Sequence, residues 1–180
     1  MSPQDLLLLS AIAFPLLVLV AAVKDLTSFT IPNWISLGLI AGWIPAAGAA
    51  AAAGAPVADL LVCLAVGVAA LLIGIGMFAL RWIGGGDAKL MAAAALWLGA
   101  PGLAPFLMWT TLAGGVLTFM LIAVRRHGAA FVGDTGPEAS HWVGRLMDRQ
   151  GDVPYGVAIC VGALAAFPYG AVTRAVILPF

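Results

Sequence analysis

The chain has 180 residues, 63% of them apolar and 9% charged, whereas a soluble domain carries about a quarter charged residues. Eight basic residues balance eight acidic ones, so no basic stripe is left over for nucleic acid, and the apolar content excludes a disordered chain. The composition is that of an all-α integral membrane protein folded as a single domain over residues 1–180.

The opening residues, Met1 to Asp5, carry no positive charge, and no small-residue cleavage site follows the first apolar run. A removable signal peptide is therefore not expected, and the run from Leu6 is predicted to stay as a membrane helix. A hydrocarbon core about 30 Å thick needs about 20 apolar residues per helix. Residues 6–23, 32–53, 58–80 and 104–124 meet that requirement, and 153–172 nearly so. Residues 90–99 are too short alone, but a helix from Gly84 to the Pro101-Gly102 pair would be about 25 Å long.

The sign of the loops decides whether that short segment spans, because lysine and arginine in short loops favour the cytoplasmic side. If it spans, Lys24, Arg81, Lys89, Arg125, Arg126, Arg145 and Arg149 share one side and Arg174 alone takes the other. The expectation is six transmembrane helices with both termini outside the cytoplasm. Outer turns then fall near Gly54-Ala55-Pro56 and Pro101-Gly102, and cytoplasmic connections at residues 24–31, 81–89 and 125–152.

In the first connection, Asp25 directly follows the first span and leads to Ile31-Pro32-Asn33-Trp34. Pro32 biases Ile31 away from helical torsions and suits a helix's first turn, so it marks the start of the second span. Asn33 would satisfy free backbone groups there, and Trp34 sits at interfacial depth. The third span carries Asp59 at its outer end, where the helix dipole favours an acid, and Cys63; Cys63 and Cys160 lie alone in apolar runs and are expected to pack rather than pair or bind metal.

The second connection reads Arg81-Trp82-Ile83-Gly84-Gly85-Gly86-Asp87-Ala88-Lys89-Leu90. Three glycines before a carboxylate close to the membrane let another backbone approach, so an extended peptide can lie against Gly84, Gly85 and Gly86; they also suit a tight turn with Asp87 capping the next helix. A phosphate loop is the poorer reading, since no Walker lysine-serine pair follows and the segment lacks the strand-turn-helix setting. Lys89, two positions beyond Asp87, does not share its helix face and reads as an interfacial anchor.

The long connection, residues 125–152, holds His127 and His141, too far apart and without a third ligand for a zinc site. Trp142 with Leu146 and Val143 with Met147 are spaced four apart among charges, which predicts a short interfacial amphipathic helix, either a membrane-surface stabiliser or a flap over substrate.

Asp25 and Asp87 are placed by topology at the cytoplasmic ends of two spans, at the same depth. Acids within membrane segments are costly and mark function or a partner. Two carboxylates held together share one proton, so that one accepts a proton from water while the other donates to a carbonyl oxygen. That is aspartic protease chemistry, and it requires no metal and no cofactor.

Gly84-Gly85-Gly86-Asp87-Ala88-Lys89-Leu90 resembles the Gly-x-Gly-Asp-x-Lys-Leu motif of type IV prepilin peptidases, membrane aspartic proteases of the GxGD type. Asp25 with Ile31-Pro32-Asn33 resembles that family's first aspartate and the Pro-Asn after it, and Val153-Pro154-Tyr155-Gly156 its Pro-Tyr-Gly segment. The resemblance implies a bacterial inner-membrane endopeptidase with the GxGD-type fold that removes the basic leader of a prepilin or pseudopilin at the cytoplasmic face. It implies Asp25 and Asp87 as the catalytic pair and the glycines as the substrate loop. The small size is similar to the minimal CpaA/TadV-type peptidases of tight-adherence (Flp) pili. The zinc-binding insertion of larger relatives, associated with pilin N-methylation, has no counterpart in this sequence. Two other readings of the paired aspartates are a proton- or ion-coupled transporter and a pilin-binding subunit that does not cut.

Overall fold

The computed structural model describes residues 2–127, 143–144, 146, 148 and 151–177. Among them the regular structure is helical throughout. Helix α1 (Pro3–Ser28) opens on a capping box in which Ser2 and Asp5 exchange hydrogen bonds of 3.1 and 2.7 Å, satisfying backbone donors that no helical carbonyl can reach. It stops at Phe29, whose left-handed torsion (φ 53°) turns its N–H onto the Asp25 carbonyl at 2.8 Å. Pro32 then launches α2 (Asn33–Ala52), and Pro56 precedes α3 (Val57–Ala79). The long α4 (Gly85–His127), α5 (Tyr155–Ala166), a 3-10 turn (Phe167–Tyr169) and α6 (Ala171–Ile177) complete the chain.

Among the described residues five helical stretches, the last running from Tyr155 to Arg174, are long and apolar enough to cross a membrane. Their outward faces are apolar: Leu72 is 64% exposed and Phe119 77%. Side chains of that kind belong against lipid tails. The protein is a multi-pass membrane protein.

A straight α4 of 43 residues would run about 64 Å, twice the hydrocarbon thickness. It does not run straight. Gly99 takes φ 61° and ψ −169°, torsions confined essentially to glycine, and divides α4 into limbs of residues 85–98 and 100–127. The contacts fix the direction of each limb. On the first limb, Gly86 meets Ile31, Lys89 meets Asn33 and Trp97 meets Leu39, so it runs parallel to α2; Ala88 against Gly74 and Leu96 against Gly67 make it antiparallel to α3. On the second limb, Thr110 packs on Gly162 and Gly114 on Tyr155, antiparallel to α5. Helix α5 is itself antiparallel to α1, with Gly156 at Asp25 and Phe167 at Phe14, while Leu17 against Gly38 joins α1 and α2 as a hairpin. The first limb therefore leads away from the Asp25 end of the bundle and the second returns to it. The reversal comes at Gly99, two residues before the expected Pro101-Gly102 turn.

The core lies between α1, α2, the first limb and α5. Phe14 stacks on Phe167 (5.1 Å between centroids) and tilts against Trp97 (5.2 Å). The buried Trp97 indole donates to the Leu39 carbonyl at 2.8 Å, giving its polar atom a partner. Cys63 and Cys160 are buried and unpaired, as their settings predict. Of the amphipathic helix expected within 125–152, Val143, Gly144 and Leu146 are helical, while Trp142, Met147 and His141 lie outside the described residues.

Candidate active site

Asp25 and Asp87 reach the same end of the bundle by different routes. The last turn of α1, closed by the left-handed Phe29, presents Asp25; the first turn of α4, begun at Gly85, presents Asp87. Both line a cavity of about 1240 Å³. Its walls include Phe29, Gly84, Thr110 and Tyr155, and its charged lining is Arg81 together with Asp25, Asp87 and Asp152. The wall is otherwise largely apolar, with Ile73, Met91, Leu103 and Leu107 among its residues.

Asp25 is 6% exposed, and its Oδ2 accepts the Gly156 backbone N–H at 2.7 Å. A buried carboxylate needs such a donor. The approach is possible because residue 156 lacks a side chain: a Cβ there would lie 2.9 Å from Asp25 Cβ, Asp25 Oδ2 and Ile31 Cδ1. Asp87 is half-buried, and its Oδ1 is buried with no hydrogen-bond partner among the described residues. The Gly84 backbone borders the other oxygen, where a Cβ would come within 2.9 Å of Oδ2. One carboxylate is thus held by a backbone amide and the other has an acceptor open for a further donor.

The three glycines divide. Gly84 lines the cavity, Gly85 packs beneath Phe78, and Gly86 packs against Ile31, where a Cβ would approach Ile31 Cβ to 3.0 Å. Gly86 thereby seats the start of α4 on the segment leading from Asp25 into α2. Asn33 does not cap its helix; its Oδ1 accepts a 2.9 Å hydrogen bond from Lys89 Nζ, tying the first turns of α2 and α4 together. Asp59 lies in the first turn of α3, at the far end of the bundle. Among the described residues no group of three or more His, Cys, Asp or Glu side chains is placed to hold a metal ion.

Sequence reasoning missed Gly156 as the donor to Asp25. Its signal was the Pro-Tyr-Gly segment itself: Pro154 (φ −71°, ψ 81°) leads into α5, so that the N–H of Gly156, in the first turn, is free of an intrahelical partner and points at the carboxylate. It also missed Arg125, whose guanidinium donates to the carbonyls of Leu146 (2.9 Å), Gly151 (2.8 Å) and Asp152 (2.9 Å).

Residues 12–119, more than half the chain, match the sequence profile of the type IV leader peptidase family. The chain belongs to that family. No curated protein and no solved structure matches it. The leader peptidase is therefore a membrane-embedded protease, and the matched segment contains both aspartates, the glycine loop and the Gly99 reversal.

Proposed function

We propose that the leader peptidase is an aspartic endopeptidase that removes the leader of Flp/Tad-type prepilins or pseudopilins at the cytoplasmic face of a bacterial inner membrane. The observation that carries this reading is that Asp25 and Asp87, from separate helices, line one cavity, with Gly156 donating to Asp25. In the reaction, one carboxylate takes a proton from water as its oxygen attacks the scissile carbonyl carbon, and the other carboxyl group protonates the carbonyl oxygen. Collapse of the resulting gem-diol returns a proton to the departing amine, so the pair ends with the proton count it started with. The mostly apolar wall suits the hydrophobic stretch of a membrane-inserted pilin, and Gly84, at the cavity edge, leaves room for a peptide backbone.

The fold-back at Gly99 supports six crossings, because each limb of α4 then runs between the same two ends of the bundle as its neighbours. With Lys24, Arg81, Lys89 and Arg125 at the Asp25 end and Arg174 at the other, the active site faces the cytoplasm and both termini lie on the other side.

The test is co-expression with a candidate Flp-type prepilin in a host lacking its own peptidase, following leader loss by mass for wild type, Asp25→Asn and Asp87→Asn. Cleavage by wild type and by neither variant, at equal membrane abundance, is the expected result. Cleavage persisting in both variants refutes the pair.

A further inference from the structure

Arg125 stands on the second limb of α4, two residues before its end, and uses three donors at once. Nε, Nη1 and Nη2 bond to the carbonyls of Leu146, Gly151 and Asp152 at 2.9, 2.8 and 2.9 Å. Both ends of the clamp matter. Residue 146 belongs to the long connection, whereas 151 and 152 lead directly into the cavity wall: Asp152, Val153 and Tyr155 line it, and Pro154 between them is buried. Four residues beyond Asp152, the Gly156 N–H meets Asp25. A planar guanidinium satisfies three carbonyls in one fixed geometry, which an ammonium on a flexible stem does not.

Resting on the leader-cleavage reading above, we propose that Arg125 is a positioning residue for the reaction: its clamp fixes residues 151–152, and through them the Gly156 amide that orients Asp25. The base of the long connection is thereby pinned to α4 close to the point where the Gly156 amide meets the carboxylate. Arg126, the next residue, is exposed and has no hydrogen bond or ion pair among the described residues, so it serves as a matched charge control.

The experiment uses the full-length protein in lipid nanodiscs, as wild type, Arg125→Lys, Arg125→Ala and Arg126→Ala, each purified as a monodisperse species. Two quantities are read: hydrogen exchange over residues 151–157, and kcat and KM for leader removal. Both Arg125 variants are expected to speed exchange in that segment by about tenfold or more and to lower kcat by about tenfold or more, the lower end of what losing a hydrogen bond to a charged group removes. KM is expected to stay within about twofold, because the clamp acts on the Gly156 amide through the backbone of residues 151–152 and makes no bond of its own to the substrate. Added guanidinium is expected to restore both quantities to Arg125→Ala, and Arg126→Ala to behave as wild type. Unchanged exchange overturns the proposal, as does faster exchange with unchanged kcat. If wild type removes no leader, the cleavage reading falls, and the exchange data alone still decide whether Arg125 sets the Gly156 amide.

Discussion

Replacing Gly156 with alanine tests the geometry at Asp25 directly. The added Cβ would sit 2.9 Å from Asp25 Cβ, Asp25 Oδ2 and Ile31 Cδ1, where ordinary contacts begin at 3.4 Å. Relief requires the carboxylate to retreat by about half an ångström, which stretches the 2.7 Å amide contact to the limit of a hydrogen bond. A hydrogen bond to a charged group contributes about 1.5–3 kcal/mol. At about 1.4 kcal/mol per decade, leader removal is expected to fall about ten- to 150-fold. Overpacking adds about 1–3 kcal/mol of destabilisation. The assay is cleavage per mole of folded protein alongside the thermal unfolding midpoint. A second substitution sharpens it: Ile31→Val removes the Cδ1 contact, so Gly156→Ala/Ile31→Val should regain part of the stability and none of the activity. Cleavage within about twofold of wild type for Gly156→Ala, at equal folded abundance, refutes the assignment of the Gly156 amide to Asp25.

Gly99→Ala forces an alanine into φ 61° and places its Cβ 2.6 Å from Cys63 Sγ; it should lower stability by about 1–3 kcal/mol from the torsion alone, with more from the clash. Cys63→Ala in the same chain should return the clash portion only, a non-additivity read from unfolding midpoints of the single and double variants. Trp97→Phe removes the 2.8 Å bond to the Leu39 carbonyl, an interior acceptor of α2, and should cost about 0.5–1.5 kcal/mol for that bond with no direct effect on cleavage per folded molecule. Lys89→Met removes the exposed bond to Asn33 and should cost under about 1 kcal/mol. A loss of cleavage beyond about a hundredfold at full stability would show instead that Lys89 takes part in the chemistry.

The aspartates were legible because charged groups are scarce in an apolar chain, and prolines and glycines punctuate it where helices must stop. Pro32 and Pro56 stand immediately before α2 and α3, and Phe29 to Ile31 form the break after α1. What the sequence concealed depends on torsion and on distance along the chain. Gly99 looks like any small residue of an alanine-rich helix; its role is visible only in a positive φ, while Pro101 and Gly102, the more conspicuous pair, lie inside the second limb. Gly156 meets Asp25 across 131 positions, and Arg125 meets three carbonyls 21 to 27 positions away, contacts that no local pattern encodes. Gly85 and Gly86 carried the same motif signal as Gly84, yet they face Phe78 and Ile31, because consecutive residues at a helix start point in different directions.

The bond between Asp25 and Gly156 also sets an order of events in biogenesis. The first helix is made and inserted long before residue 156 leaves the ribosome, so the carboxylate waits in the membrane without the amide that will hold it. Even once Asp87 has been made, the growing chain carries both acids without their final arrangement. The site closes when the last long helix packs against the first, and a chain halted after residue 119 would hold the family's matched segment with Asp25 still unsupported.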